Sequence, residues 1–154
     1  MKALLIVSVL FLCAFSTTNP ELDKANGFEN YKFGTAPQEY KDLTLEIAEG
    51  NTTLYSINTL PKINGAQLEY VRLTFCRNHL SAISIATKNA SASKFMHYLL
   101  DNFGPAKTVK SNSEWYSQKV HLIYEPSGKE ALINYYSNEV CKKAPKTKNN
   151  GYRL

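Results

Sequence analysis

The chain reads as an α+β protein: an antiparallel β-sheet with two helices packed on one face. Three observations predict this. Short runs of alternating apolar and polar residues recur between turn signals, most clearly at residues 66–87. One segment, residues 91–103, switches to helical spacing. No strand–helix–strand alternation persists long enough for a doubly wound parallel sheet. With 154 residues the chain suits one domain, and 44% hydrophobic residues is too many for general disorder.

The elements follow in order. Residues 17–26 are polar and read as a flexible lead-in. Residues 27–33 bring Phe28, Tyr31 and Phe33 together as a short strand, which Gly34 breaks. Thr35 and Gln38 match a capping box, and Pro37 is tolerated in a first helical turn, so a short helix is expected over 36–43 with Tyr40 and Leu43 on one side. Strands are expected at 43–48, with Leu43, Leu45 and Ile47 alternating, and at 53–59, with Tyr55 and Ile57 on one face. Pro61 and Asn64-Gly65 punctuate the next connection.

A hairpin follows. Val71, Leu73 and Phe75 face one way, and Tyr70, Arg72, Thr74 and Cys76 the other; the return strand puts Ile83 and Ile85 on one face and small residues behind them. Ser91 or Ser93 then caps the best helix, where Phe95, Leu99 and Phe103 recur at i, i+4 and i+8. Gly104-Pro105 stops it. Strands at 114–118, 119–125 and 130–137 complete the sheet. The open face is expected to carry Arg72, Thr74, Lys119 and His121. The rhythm, a helix and then strands, twice over, fits two related halves, although the halves share no residue-level repeat.

The ends carry different signals. Met1-Lys2, an apolar run over 3–14 and the small residues Ala14 and Ser16 form the pattern of a secretory signal peptide over 1–16, with cleavage expected after Ser16. Twelve helical residues rise about 18 Å, short of a ~30 Å hydrocarbon core, so no transmembrane span is expected. A lipid anchor at Cys13 is the competing reading, but Leu12 stands where lipoprotein signals have a small residue. The last residues, 142–154, form a basic tail expected to be disordered: Lys142, Lys143, Lys146, Lys148 and Arg153, with no acid. Setting these five and Lys2 aside leaves 12 bases against 13 acids over 17–141. A near-neutral body has no surplus from which to build a basic face, so nucleic acid is not an expected partner.

Export implies an oxidising compartment, where the even pair Cys76 and Cys141 reads as a disulfide. Two free thiols are the alternative. His79 follows Cys76 by three residues, but no His or further Cys stands near Cys141, so no metal site is expected.

Catalytic signatures are sparse. His79 lies in a turn, His97 is four residues before Asp101 on a helix, and His121 shares a strand face with Lys119 and Glu125. There is no Gly-x-Ser-x-Gly, no His-Glu-x-x-His and no glycine cluster for phosphate. Paired carboxylates for glycoside chemistry depend on the fold rather than on spacing. Asn51-Thr52-Thr53 and Asn89-Ala90-Ser91 match glycosylation acceptors, a short pattern taken as chance. No catalytic or cofactor-binding residue is assigned, and no cofactor is expected.

The aromatic residues are more informative. Ten Tyr and one Trp are a heavy load, and Tyr combines an apolar body with a polar tip suited to recognition. Trp115-Tyr116 and Tyr135-Tyr136 each place one ring on either face of a strand, so one of each pair is expected to be buried. Trp115, Tyr116, His121, Tyr135 and Tyr136 are therefore the candidates for a binding surface; edge-of-core packing is the competing account.

Gly27…Phe33-Gly34-Thr35…Glu39, then Asn102-Phe103-Gly104-Pro105, Trp115, Leu122…Tyr124 and Leu132…Tyr135-Tyr136-Ser137 together resemble a set of small exported bacterial proteins of uncharacterised function, over residues 27–140. That set closes its helix on a Tyr-Gly-x-Pro stop; here Phe103 replaces the Tyr and the spacer before Pro105 is absent. A weaker similarity is to outer-membrane assembly lipoproteins of the BamE type, whose Gly-x-(Ser/Thr) turn before a helix is matched here by Gly34-Thr35 without the spacer. The resemblance implies export and an α+β fold, and no catalytic residues. The expected function is a small, monomeric, non-catalytic domain binding a protein or envelope component through its open sheet face. An inhibitor or immunity protein for a toxin or hydrolase, and a hydrolase whose acids converge only in three dimensions, are the alternatives.

Overall fold

A computed structural model describes residues 18–141. The signal-like segment 1–16 with Cys13, and the basic tail 142–154, lie outside the described residues.

The strongest alternation in the sequence forms the middle of the sheet. Strands β5 (Gln67–Cys76) and β6 (His79–Lys88) pair through Arg77-Asn78, both at positive φ, as a two-residue hairpin turn of the right hand requires. Val71, Leu73 and Phe75 on one strand, with Ile83 and Ile85 on the other, are buried on the same face. To one side lie β4 (Thr52–Ile57) and the edge strand β3 (Leu43–Glu49). To the other lie β10 (Glu130–Ser137), β9 (Val120–Ser127), β8 (Asn112–Tyr116) and the edge strand β7 (Lys107–Val109). The order β3-β4-β5-β6-β10-β9-β8-β7 makes one eight-stranded sheet, antiparallel throughout. It consists of two four-stranded meanders whose last strands pair in the middle, Ile85 opposite Ile133.

Helix α2 (Ala92–Phe103) covers the apolar face with Phe95 and Leu99, each worth about 2 kcal/mol on burial. Ser91 holds the N-cap position without capping. Its hydroxyl accepts instead from the Gln67 amide at 2.9 Å. Gly104, at φ +68, ends the helix and donates its N–H to the Leu100 carbonyl at 2.8 Å.

The region before β3 corrects the sequence reading twice. The lead-in is not a free segment: Pro20–Ala25 forms helix α1, with Leu22 fully buried. Asn19 caps it, accepting from the Leu22 N–H at 3.1 Å, and donates from its side chain to the Phe103 carbonyl at the end of α2. Asp23 accepts from the backbone of Gln118 and Lys119, tying α1 to the turn between β8 and β9. The helix expected over 36–43 is only a 3-10 turn, Pro37–Glu39. Glu39 accepts from the Ala36 N–H, one residue later than the expected box, and Thr35 bonds the Lys32 carbonyl and the Tyr40 hydroxyl instead. The chain then enters β3, and Tyr40 packs on Tyr31 and Phe75.

Between these pieces, β1 (Gly27–Phe28) and β2 (Tyr31–Lys32) form a small hairpin in place of one continuous strand. Gly27 sits at φ +140, and any Cβ there would strike the Tyr31 carbonyl oxygen. Strand β7 was not expected, and Lys119 lies in a turn and not on the open face.

Cys76 and Cys141 are disulfide-bonded, with Cα atoms 6.2 Å apart. The bond links the end of β5 to a residue beyond β10, spanning the start of β6 between them. No helix among the described residues is long and apolar enough to cross a membrane.

Candidate functional site

Strand alternation decides which of the predicted aromatics meet solvent. Tyr116 and Tyr136 are 42% and 41% exposed, while Trp115 and Tyr135 are 2% and 1% exposed. Trp115 and Tyr135 therefore leave the candidate surface. Both point to the helix-covered face, where the Trp115 indole donates to the Gly104 carbonyl at 2.8 Å.

The other three come together on the open face. Register places His121 opposite Tyr116 on one side and opposite Tyr136 on the other, so the three side chains form a row across β8, β9 and β10. The Tyr116 and His121 rings stack at 4.4 Å with an interplanar angle of 16°, and the Tyr136 ring lies 6.4 Å from the imidazole. Glu114, two residues before Tyr116 and hence on the same face, underlies the row. Its carboxylate accepts from the Tyr116 hydroxyl and lies 2.8 Å from Nε2 of His121.

Electrostatics keep this arrangement in one form. The hydrogen bond from Tyr116 outweighs the burial of Glu114, with His121 and Lys107 adding to it, so the carboxyl titrates below its ordinary range. The same bond to Glu114, with desolvation, raises the Tyr116 phenol, which stays a donor. An ionised carboxylate holding a phenol and an imidazole fixes both rings against rotation, leaving their outer surfaces free for contact.

Beside the row the face is polar. Asn134 donates to Glu125 at 3.1 Å and accepts from Ser84 at 2.7 Å, a chain running across β9, β10 and β6. Farther along, Arg72 pairs with Glu46 at 3.0 Å and lies over the Tyr70 ring at 4.4 Å. A cleft of about 470 Å³ adjoins the row at Glu114 and Tyr116, bounded by Asn19, Pro20 and Pro105. Among the described residues no three His, Cys, Asp or Glu side chains converge as metal ligands. His79 bonds the Gly34 carbonyl, and His97 is exposed on α2.

Glu114 is the participant that sequence reasoning missed. Its signal was there: Glu-x-Tyr at strand spacing, with a His returning on the next strand. The register that pairs them belongs to the fold.

Comparison with protein-family models, with curated proteins and with solved structures finds no match to this chain.

Proposed function

We propose that the chain is an exported, non-catalytic, monomeric binding domain that recognises a protein or envelope component through its open sheet face. The observation that carries this reading is the row Tyr116–His121–Tyr136, half exposed and locked from below by Glu114. Exposed aromatics in fixed rotamers offer contact area at little entropic cost, as recognition surfaces require. The helices cover the other face and leave this one uncovered. Export is supported by the apolar leader over residues 1–16 and by the disulfide, which persists in oxidising compartments. The bacterial origin implied by the motifs over residues 27–140 belongs to the same proposal.

Site-specific photo-crosslinking tests it. A benzophenone side chain at position 136 in the native host should give a discrete adduct. The same probe at position 97, on exposed α2, should not. Adding Tyr116→Ala and His121→Ala should abolish the adduct at 136. Equal adducts from both faces, or one indifferent to those substitutions, would overturn the proposal. An enzyme as the trapped partner would specify the role as that of an inhibitor.

A further inference from the structure

On the helix side of the sheet, the face opposite the aromatic row, a cavity of about 290 Å³ opens between α1, the β1–β2 turn and α2. Phe28, Tyr98, Phe103 and Tyr135 line it. Phe28 meets Tyr98 edge-on at 6.5 Å and Tyr135 at 5.7 Å with a 44° tilt, so the rings enclose a corner and do not form a flat stack.

Two features of this corner stand out. The Tyr135 hydroxyl is the one buried side-chain polar atom among the described residues without a hydrogen-bond partner. Leaving such a group unpaired is worth on the order of a hydrogen bond in lost stability. Burial, and then the nearby Tyr98 phenol and Glu29 carboxylate, hold it protonated. The second feature is Glu29. It stands at φ +50, the left-handed region, first in a two-residue hairpin turn where glycine is favoured. Its carboxylate accepts from the Tyr98 hydroxyl at 2.9 Å at the cavity mouth. Glu21 and Lys24 on α1 are the other charged side chains lining the cavity, so acids outnumber bases there. Among the described residues Lys24 makes no ion pair with either acid.

We propose that this cavity binds a small primary ammonium, with the charge at the Glu29 carboxylate, an N–H reaching the Tyr135 oxygen, and the carbon skeleton against the aromatic corner. An ammonium matches all three partners. Its N–H groups serve the carboxylate and the lone pairs of the phenol oxygens, and ring faces attract a cation. A carboxylate ligand would instead meet Glu21 and Glu29. A purely apolar one would leave the Tyr135 hydroxyl as it is.

Benzylammonium is a suitable probe, with benzyl alcohol as its uncharged isostere, both titrated into the folded protein and followed by NMR. Benzylammonium should bind in the millimolar range or tighter, with shifts centred on Gly27, Glu29 and Tyr135, and benzyl alcohol about tenfold more weakly. Glu29→Gln should weaken the ammonium about tenfold. Tyr135→Phe, which keeps the ring, should weaken it several-fold without lowering the melting temperature. No saturable shift, shifts mapping elsewhere, equal binding of the alcohol, or indifference to both substitutions would each overturn the proposal.

Discussion

Replacing Cys76 and Cys141 together by serine opens a link across a sequence separation of 65 residues. In the chain-entropy account, a loop of that length confines the unfolded chain enough to stabilise the fold by about 4 kcal/mol. The native side loses little. Both cysteines lie outside the buried core, and the segment after β10 keeps its own anchor, Asn138, which donates to the carbonyls of Lys119 and Ser117. For a folded body of this size, each kcal/mol moves the midpoint by about 4 °C, so the double variant should melt about 15 °C lower. Circular dichroism melts with and without reductant measure this. Reductant should bring the wild type to the midpoint of the variant and leave the variant unmoved. A drop of less than about 4 °C would refute the argument, because it would mean that the unfolded chain gains little freedom when the link opens.

Three further outcomes follow from particular contacts. Leu22→Ala removes the one buried side chain of α1 and should lower the unfolding free energy in urea by about 2–4 kcal/mol; a loss under ~1 kcal/mol would mean that α1 is not docked. Tyr135→Phe removes a hydroxyl without a protein partner, so unfolding in urea should show stability unchanged or raised by up to ~1 kcal/mol, and a clear loss would reveal a partner. Glu114 is held below its ordinary pKa, so its contribution is complete above the unfolded value near 4.3 and fades as pH falls through the lower folded one. The stability difference between wild type and Glu114→Gln should therefore shrink on acidification below about pH 4; a pH-independent difference would contradict the role given to this carboxylate.

How legible the molecule was depends on the length of each signal. The β5–β6 hairpin and α2 repeat their patterns over ten and twelve residues, and both lie where periodicity puts them. The buried and exposed members of Trp115-Tyr116 and Tyr135-Tyr136 follow from strand alternation alone. Helix α1 was hidden because its six residues bury a single side chain, too few for any period to register. Besides Leu22, what holds it are polar ties to residues almost a hundred positions away, Asp23 to the backbone of Lys119 among them. The 3-10 turn at Pro37 shows local preference losing to the sheet: helix signals were present, but Leu43 and its neighbours gain more by pairing with β4. Strand β7, three residues long, carries no pattern of its own. The Glu114–Tyr116–His121 contact needed register, which no local window contains.

The way the two meanders meet bears on how the chain acquires its shape. Within each meander every strand pairs with one adjacent in sequence, so each can zip from its turns at small entropic cost. Of the strand ladders, that between β6 and β10 is the one that joins them, beside the Cys76–Cys141 bond at its end, and it closes a loop of roughly fifty residues that contains α2 and three strands. A late, rate-limiting docking step along this central seam is the kinetic consequence. Substitutions at Ile85 or Ile133 should then slow refolding more than equally destabilising ones in the outer strands.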